Sequence, residues 1–225
     1  MKKNFAKRTD WPRQPNALTQ AYERLKQEEA PLIDLTTSNP TVCSINYPAD
    51  FLGELTQDEA RVYAPTAYGM KQAREAISAY YASRGFSISS DQLILTSSTS
   101  EAYKYLFRLL ANYGDHILFP QPSYPLFSFL GDLNDIYVDR YYLDINKGWS
   151  YNLDHLKKQT HEYTKAVLCV NPNNPTGSYI TEEEVSFLNQ WCIEHDLSII
   201  SDEVFWDFKI NKDKNYLSLV TNKKV

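Results

Sequence analysis

Short apolar runs alternate with longer amphipathic ones through most of this chain, and that rhythm limits the fold more tightly than any single residue. Residues 71–84 read as a helix, with Ala73, Ile77 and Tyr80/Tyr81 on one face and Gly85 as its stop. A short strand is expected at 92–96. A helix follows at 100–112, with Tyr103, Leu106, Phe107 and Leu110 at i, i+3, i+4 and i+7, closed by Gly114. Strands at 116–119, 136–143, 165–170 and 197–201 then alternate with helices at 124–133, 153–161 and 181–195. The last of these helices opens on a capping box, Thr181 to Glu184, in which side chains satisfy first-turn amides. This order predicts an α/β fold: three layers, α/β/α, around a mostly parallel sheet.

The first part of the chain has a different texture. It holds one helix at about 17–28, a short strand at 32–35 and a polar turn at 36–41. The organisation expected is therefore a small N-terminal segment at 1–60, followed by the larger domain at 61–225. The stretch 211–225 is polar and lysine-rich, and reads as a loop cut short.

Composition removes several classes of function. A net charge of −5 does not suit a protein whose task is gripping nucleic-acid phosphates. No apolar run approaches the roughly 20 residues that span a bilayer, and no apolar signal region follows Lys2 and Lys3, so a cytoplasmic location is expected. Cys43, Cys169 and Cys192 form no close pair and are expected to be reduced packing residues. The histidines show no ligand spacing: His155 and His161 are six apart, on different faces of a helix, so no metal site is expected.

Chemistry is concentrated at strand ends. Asn171-Pro172-Asn173-Asn174-Pro175-Thr176-Gly177 ends one predicted strand, and Ser201-Asp202-Glu203 ends the next. Open α/β sheets bind ligands beyond the carboxyl ends of their strands. An amide and a carboxylate so placed suit a heteroaromatic ring, with Asp202 pairing a protonated ring nitrogen and Asn174 donating to a ring oxygen. A carboxylate at a strand end also serves as a cap or a surface ion pair. The run Thr96-Ser97-Ser98-Thr99-Ser100-Glu101 follows a strand and opens a helix. Ser98 with Glu101 fits a capping box, while the same free amides and hydroxyls suit a phosphate. Pro122-Ser123-Tyr124-Pro125 is a turn carrying an aromatic ring, and Ser38-Asn39-Pro40-Thr41 is a polar turn.

Taken in order, these runs resemble the class I and II aminotransferases, which use pyridoxal 5′-phosphate on a type I fold; Asn-Pro-x-Asn-Pro-Thr-Gly is the specific signature. The resemblance implies that Ser98, Thr99 and Ser100 cradle the phosphate, and that Tyr124 stacks on the ring. It implies that Asp202 keeps the ring nitrogen protonated, and that Asn174 serves the ring oxygen. It also implies that Tyr63 reaches the phosphate of a neighbouring subunit, and that Asn39 and Pro40 approach the substrate carboxylate. The implied substrates are an amino acid and a 2-oxo acid, and the implied assembly is a homodimer. Two positions depart from the family. Serine stands near Ser98 where glycine is common, and Phe205 replaces a tyrosine whose hydroxyl donates to the ring oxygen.

The family's Schiff-base lysine follows the aspartate by roughly 30 to 36 residues, past Val225, and its carboxylate-clamping arginine lies later still. The lysines after Asp202 are Lys209, Lys212, Lys214, Lys223 and Lys224, all in polar sequence. None qualifies, so no catalytic residue is assigned and the chain alone is expected not to transaminate. In the family two late sheet strands lie between the first strand and the rest, and their loss would open a gap inside the sheet, leaving unpaired apolar edges. Other readings are half of a split enzyme with a partner chain, or a carbon–sulfur lyase or decarboxylase of the same fold. A dinucleotide-binding dehydrogenase is disfavoured, because no Gly-x-Gly-x-x-Gly follows a strand.

Overall fold

Among the described residues, five strands order the larger part of the molecule, and one of them, Thr164–Val170, is buried along nearly its whole length. The computed structural model describes residues 5–35, 38–209 and 216–225. The chain divides into two compact units, one of Asp10–Thr66 and one of Met1–Thr9 with Ala67–Val225.

Within the Asp10–Thr66 unit, α1 (Ala17–Gln27) starts at Asn16, whose side chain accepts from the Thr19 amide at 2.8 Å. The strand expected at 32–35 is not formed. Its apolar side chains stay in solvent, with Ile33 88% and Leu35 90% exposed. Thr36 and Thr37, part of the expected polar turn, lie outside the described residues. No described residue of this unit is buried.

In the larger unit, α2 (Lys71–Ala82) and α3 (Thr99–Leu110) precede β1 (His116–Gln121). Then come α4 (Leu126–Leu133), β2 (Tyr137–Asp144), β3 (Ser150–Tyr151) and α5 (Leu153–Gln159). The last elements are β4 (Thr164–Val170), α6 (Glu182–Glu194) and β5 (Ser198–Asp202). The sheet order is β3-β2-β1-β4-β5, parallel except for the short β2–β3 pair. The α/β architecture with a mostly parallel sheet is therefore present, in incomplete form.

Strand periodicity sorts the core into two faces. Ile117, Phe119, Ala166 and Leu168 pack with Phe107 of α3 and Phe127 of α4. Leu118, Val167 and Cys169 face the other way, toward Leu156 of α5 and Leu188 of α6. At Gly131 a Cβ would lie 2.5 Å from the Val138 side chain, so α4 reaches β2 this closely only with glycine.

Two other expectations need correction. Residues 92–96 form no strand: Leu95 donates its amide to the Tyr68 carbonyl at 3.0 Å, and Ile94 is exposed. A strand needs a lateral partner, and β5 ends the sheet without one on its outer side among the described residues. The tail beyond 215 is not simply a polar loop. Leu219 is buried in the core, and its amide donates to Glu203 at 2.7 Å.

Candidate functional site

The Asn171–Gly177 run divides its labour in a way that residue types alone do not reveal. Asn171 is fully buried: its side-chain amide donates to the Leu217 carbonyl at 2.7 Å, and its oxygen accepts from the Ile180 amide at 3.1 Å. Asn173 donates to the Pro122 carbonyl at 3.2 Å, tying this turn to the one after β1. Gly177 closes the loop at φ +71°, where a side chain would be strained, and its amide bonds to the Asn173 carbonyl at 2.7 Å. Two asparagines thus serve as scaffold, and the third, Asn174, lines a cavity.

That cavity measures about 190 Å³, and Thr99, Ser100, Tyr103, Tyr124, Asn174, Asp202 and Phe205 are among the residues that line it. They come from the amino end of α3, the turn after β1, the turn after β4 and the end of β5. A wider groove of about 460 Å³ shares Thr99, Tyr103, Asp202 and Val204 with it and continues along β5. Five of the expected cofactor residues, Thr99, Ser100, Tyr124, Asn174 and Asp202, are brought together here.

Ser98 has a different place. It is the N-cap of α3, and its hydroxyl accepts from the Glu101 amide at 3.2 Å. The capping box expected between Ser98 and Glu101 is only half formed. The Glu101 carboxylate accepts instead from the Ser97 amide at 2.7 Å and the Ser97 hydroxyl at 2.9 Å, bonds that hold its pKa below the usual carboxylate range. The cap thus uses the Glu101 amide and leaves those of Thr99 and Ser100 at the helix terminus, where the helix dipole favours an anion.

Asp202 accepts from the Val204 amide at 3.0 Å through one oxygen and from the Tyr103 hydroxyl through the other. Burial, together with the Asp202 charge, drives the Tyr103 phenol far above the ordinary tyrosine range, so it remains a donor. The helical spacing marks Tyr103 only as a core position; a hydroxyl on an otherwise apolar face is the signal that points to a polar partner. Phe205 borders the cavity and brings no donor to it. Glu203 turns away, accepting from Ser201 at 3.1 Å and from the Leu219 amide at 2.7 Å.

Tyr63, Asn39 and Pro40 belong to the Asp10–Thr66 unit, where all three are exposed. Asn39 makes an Asx turn there, its side chain accepting from the Thr41 amide at 3.0 Å. Of the lysines after Asp202, Lys209 lies over the Trp206 ring at 4.5 Å, and Lys223 and Lys224 are exposed. None of these three lines the cavity. Lys212 and Lys214 lie outside the described residues.

The family model for aminotransferase class I and II matches residues 30–223. A tyrosine aminotransferase of Dictyostelium discoideum is 30% identical over 82% of this chain and 45% of its own length. A glutamate-pyruvate aminotransferase of Haemophilus influenzae is 28% identical over 81% of this chain and 46% of its own. Among solved structures, an alanine aminotransferase of Pyrococcus furiosus superposes with a TM-score of 0.76 at 25% identity, covering 87% of this chain and 50% of that one. The chain spans about half the length of the curated relatives it matches. With the motifs, the sheet and the family model in agreement, the chain belongs to the class I and II aminotransferases, a family that depends on pyridoxal 5′-phosphate.

Proposed function

We propose that this chain is the cofactor-binding part of an aminotransferase that moves an amino group between an amino acid and a 2-oxo acid. The observation that carries this reading is the meeting of Thr99, Ser100, Tyr124, Asn174 and Asp202 around one cavity. The donor set suits pyridoxal phosphate: amides and hydroxyls at a helix terminus for the phosphate, a ring for stacking, an amide for the ring oxygen and a carboxylate for the ring nitrogen. When bound, the group supplies an electron-withdrawing ring that stabilises negative charge at the carbon next to the substrate amine.

Asp202 holds the proton at the ring nitrogen, and its negative charge makes loss of that proton costly. The Tyr103 hydroxyl keeps the carboxylate aimed into the cavity until a ring competes for it. Asn174 serves the ring oxygen without help from Phe205. Proton transfer at the substrate carbon needs an amine within reach of the ring face, and none of the described lysines after Asp202 lines the cavity. On this reading the chain binds without turning over. Within a longer protein it works as a cytoplasmic homodimer, with Tyr63 presented to the partner subunit and Asn39 and Pro40 to the substrate carboxylate.

Titrating the purified chain with pyridoxal phosphate, followed by absorbance, should give saturable binding; its absence would end the proposal. Borohydride reduction of the mixture should fix no single stoichiometric adduct. One lysine labelled to completion would overturn the inactivity of the chain while supporting the binding.

A further inference from the structure

Spacing along the chain hides a cluster at the opposite rim of the sheet. His116 opens β1, Asp139 is the third residue of β2, and His161 lies in the turn before β4. One carboxylate oxygen of Asp139 lies 2.7 Å from His116 Nδ1 and 2.9 Å from His161 Nε2. One ligand atom from each residue falls within 4.8 Å of the others, and among the described residues no other group of three such side chains does so. We infer that His116, Asp139 and His161 form a binding site for a borderline divalent ion of the zinc type, remote from the cofactor cavity.

Two imidazoles and a carboxylate are a ligand set suited to Zn²⁺, with water completing a tetrahedron. Bonds of about 2.0–2.2 Å place tetrahedral ligands about 3.3–3.6 Å apart, so both histidine–aspartate separations must widen by about half an ångström, and the two imidazole nitrogens, within 4.8 Å of each other, must draw in to the same spacing. The side chains have that freedom, being 22%, 23% and 39% exposed for His116, Asp139 and His161. Their backbones do not move with them. The His116 amide donates to the Tyr163 carbonyl at 2.9 Å, and His161 exchanges bonds with Thr164, amide to hydroxyl at 3.1 Å and carbonyl from amide at 2.9 Å. The partial exposure also provides an entry path. Binding through Nε2 moves the His161 ring proton to Nδ1, at the expense of the 3.3 Å bond from the Tyr163 amide, the longest contact in the cluster. Nothing in this site draws on the aminotransferase motifs. A bound ion would tie together the amino ends of β1 and β2 and the approach to β4, the three central strands of the sheet.

The test uses the full chain without added histidines, in a Cys43→Ser background that removes an exposed thiol as a competing ligand. Zn²⁺ is titrated by calorimetry, and Co²⁺ by its visible absorption. One ion per chain is expected, together with a rise in the thermal midpoint. H161A, at the most exposed ligand, and D139N, which keeps the side-chain shape, should each weaken binding about tenfold or more and abolish the thermal shift. H195A, at a histidine outside the cluster, should leave both unchanged. Absence of saturable binding would show a trio held by hydrogen bonds alone. Binding that persists in both H161A and D139N would place the ion elsewhere. Either result overturns the site.

Discussion

Both units of this molecule carry large apolar side chains, but only one buries them. In the sheet unit, Phe107, Ile117, Leu118, Leu156 and Leu188 are completely hidden from solvent. In the Asp10–Thr66 unit, Leu18, Ile33, Leu35, Leu55 and Val62 are mostly exposed. The difference is not one of residue type. A parallel ladder fixes alternate side chains on opposite faces, and helices can then seal both faces at once. A single helix followed by short turns offers no such surface. Apolar content sets how much can be buried, and strand pairing decides whether it is.

Several substitutions sharpen that contrast. Phe107→Ala should destabilise the sheet unit by about 3–5 kcal/mol, read as a fall in the urea midpoint of the purified chain. A loss below about 1 kcal/mol would mean that the core is not packed as described. Alkaline titration probes the same unit. Burial pushes the Cys169 and Cys192 thiols up to about 12 from an ordinary 9.0, and raises the Tyr141 and Tyr151 phenols as well. Groups raised in the folded state stabilise it fully below their unfolded pKa and lose that contribution as pH rises toward the folded value. Stability should therefore decline from about pH 9 upward, by roughly 2 kcal/mol for each thiol at about pH 10.5. A flat profile of urea midpoints between pH 8 and 10.5 would show these groups to be solvated.

The next comparison sets one residue of each unit against the other. Asp202→Ala should weaken pyridoxal phosphate binding by about 10- to 100-fold, as expected for losing a charged hydrogen-bond partner. Tyr63→Phe should change it much less, because Tyr63 is 90% exposed and its expected role concerns a neighbouring subunit. Equal effects in a fluorescence titration would mean that the ring site is not formed. The smallest effect belongs to Leu18→Ala, in the exposed helix α1, which should stay within about 0.5 kcal/mol. A larger loss would place Leu18 in a packed surface and erase the contrast between the units.

Elements with their own internal signals were the legible ones. The helix at Glu182–Glu194 begins where Thr181 and Glu184 announce it, with the reciprocal cap formed in full. Strands β1, β2, β4 and β5 were readable from short apolar runs bounded by turn residues. The two strands that fail, at 92–96 and 32–35, have equally suitable residues, but a strand is a relation between segments, and among the described residues neither segment joins a ladder. The cavity was legible to the extent that strand-end motifs name its lining. Tyr103, reading as core, and Ser98, reading as cap or cradle, show where residue type stops being informative: the structure adds a polar partner for the first and forms the cap bond of the second.

By itself the sequence determined the alternation of elements, the family signature and the residues offered at the strand ends, because these depend on local periodicity, caps and turn chemistry. Only the tertiary structure decided that Asn171 and Asn173 serve as scaffold, which hydroxyl meets Asp202, and that His116, Asp139 and His161 share one rim. Those outcomes depend on register between strands far apart in the chain. Parallel pairing brings such residues within a few ångströms, and no local pattern encodes that meeting.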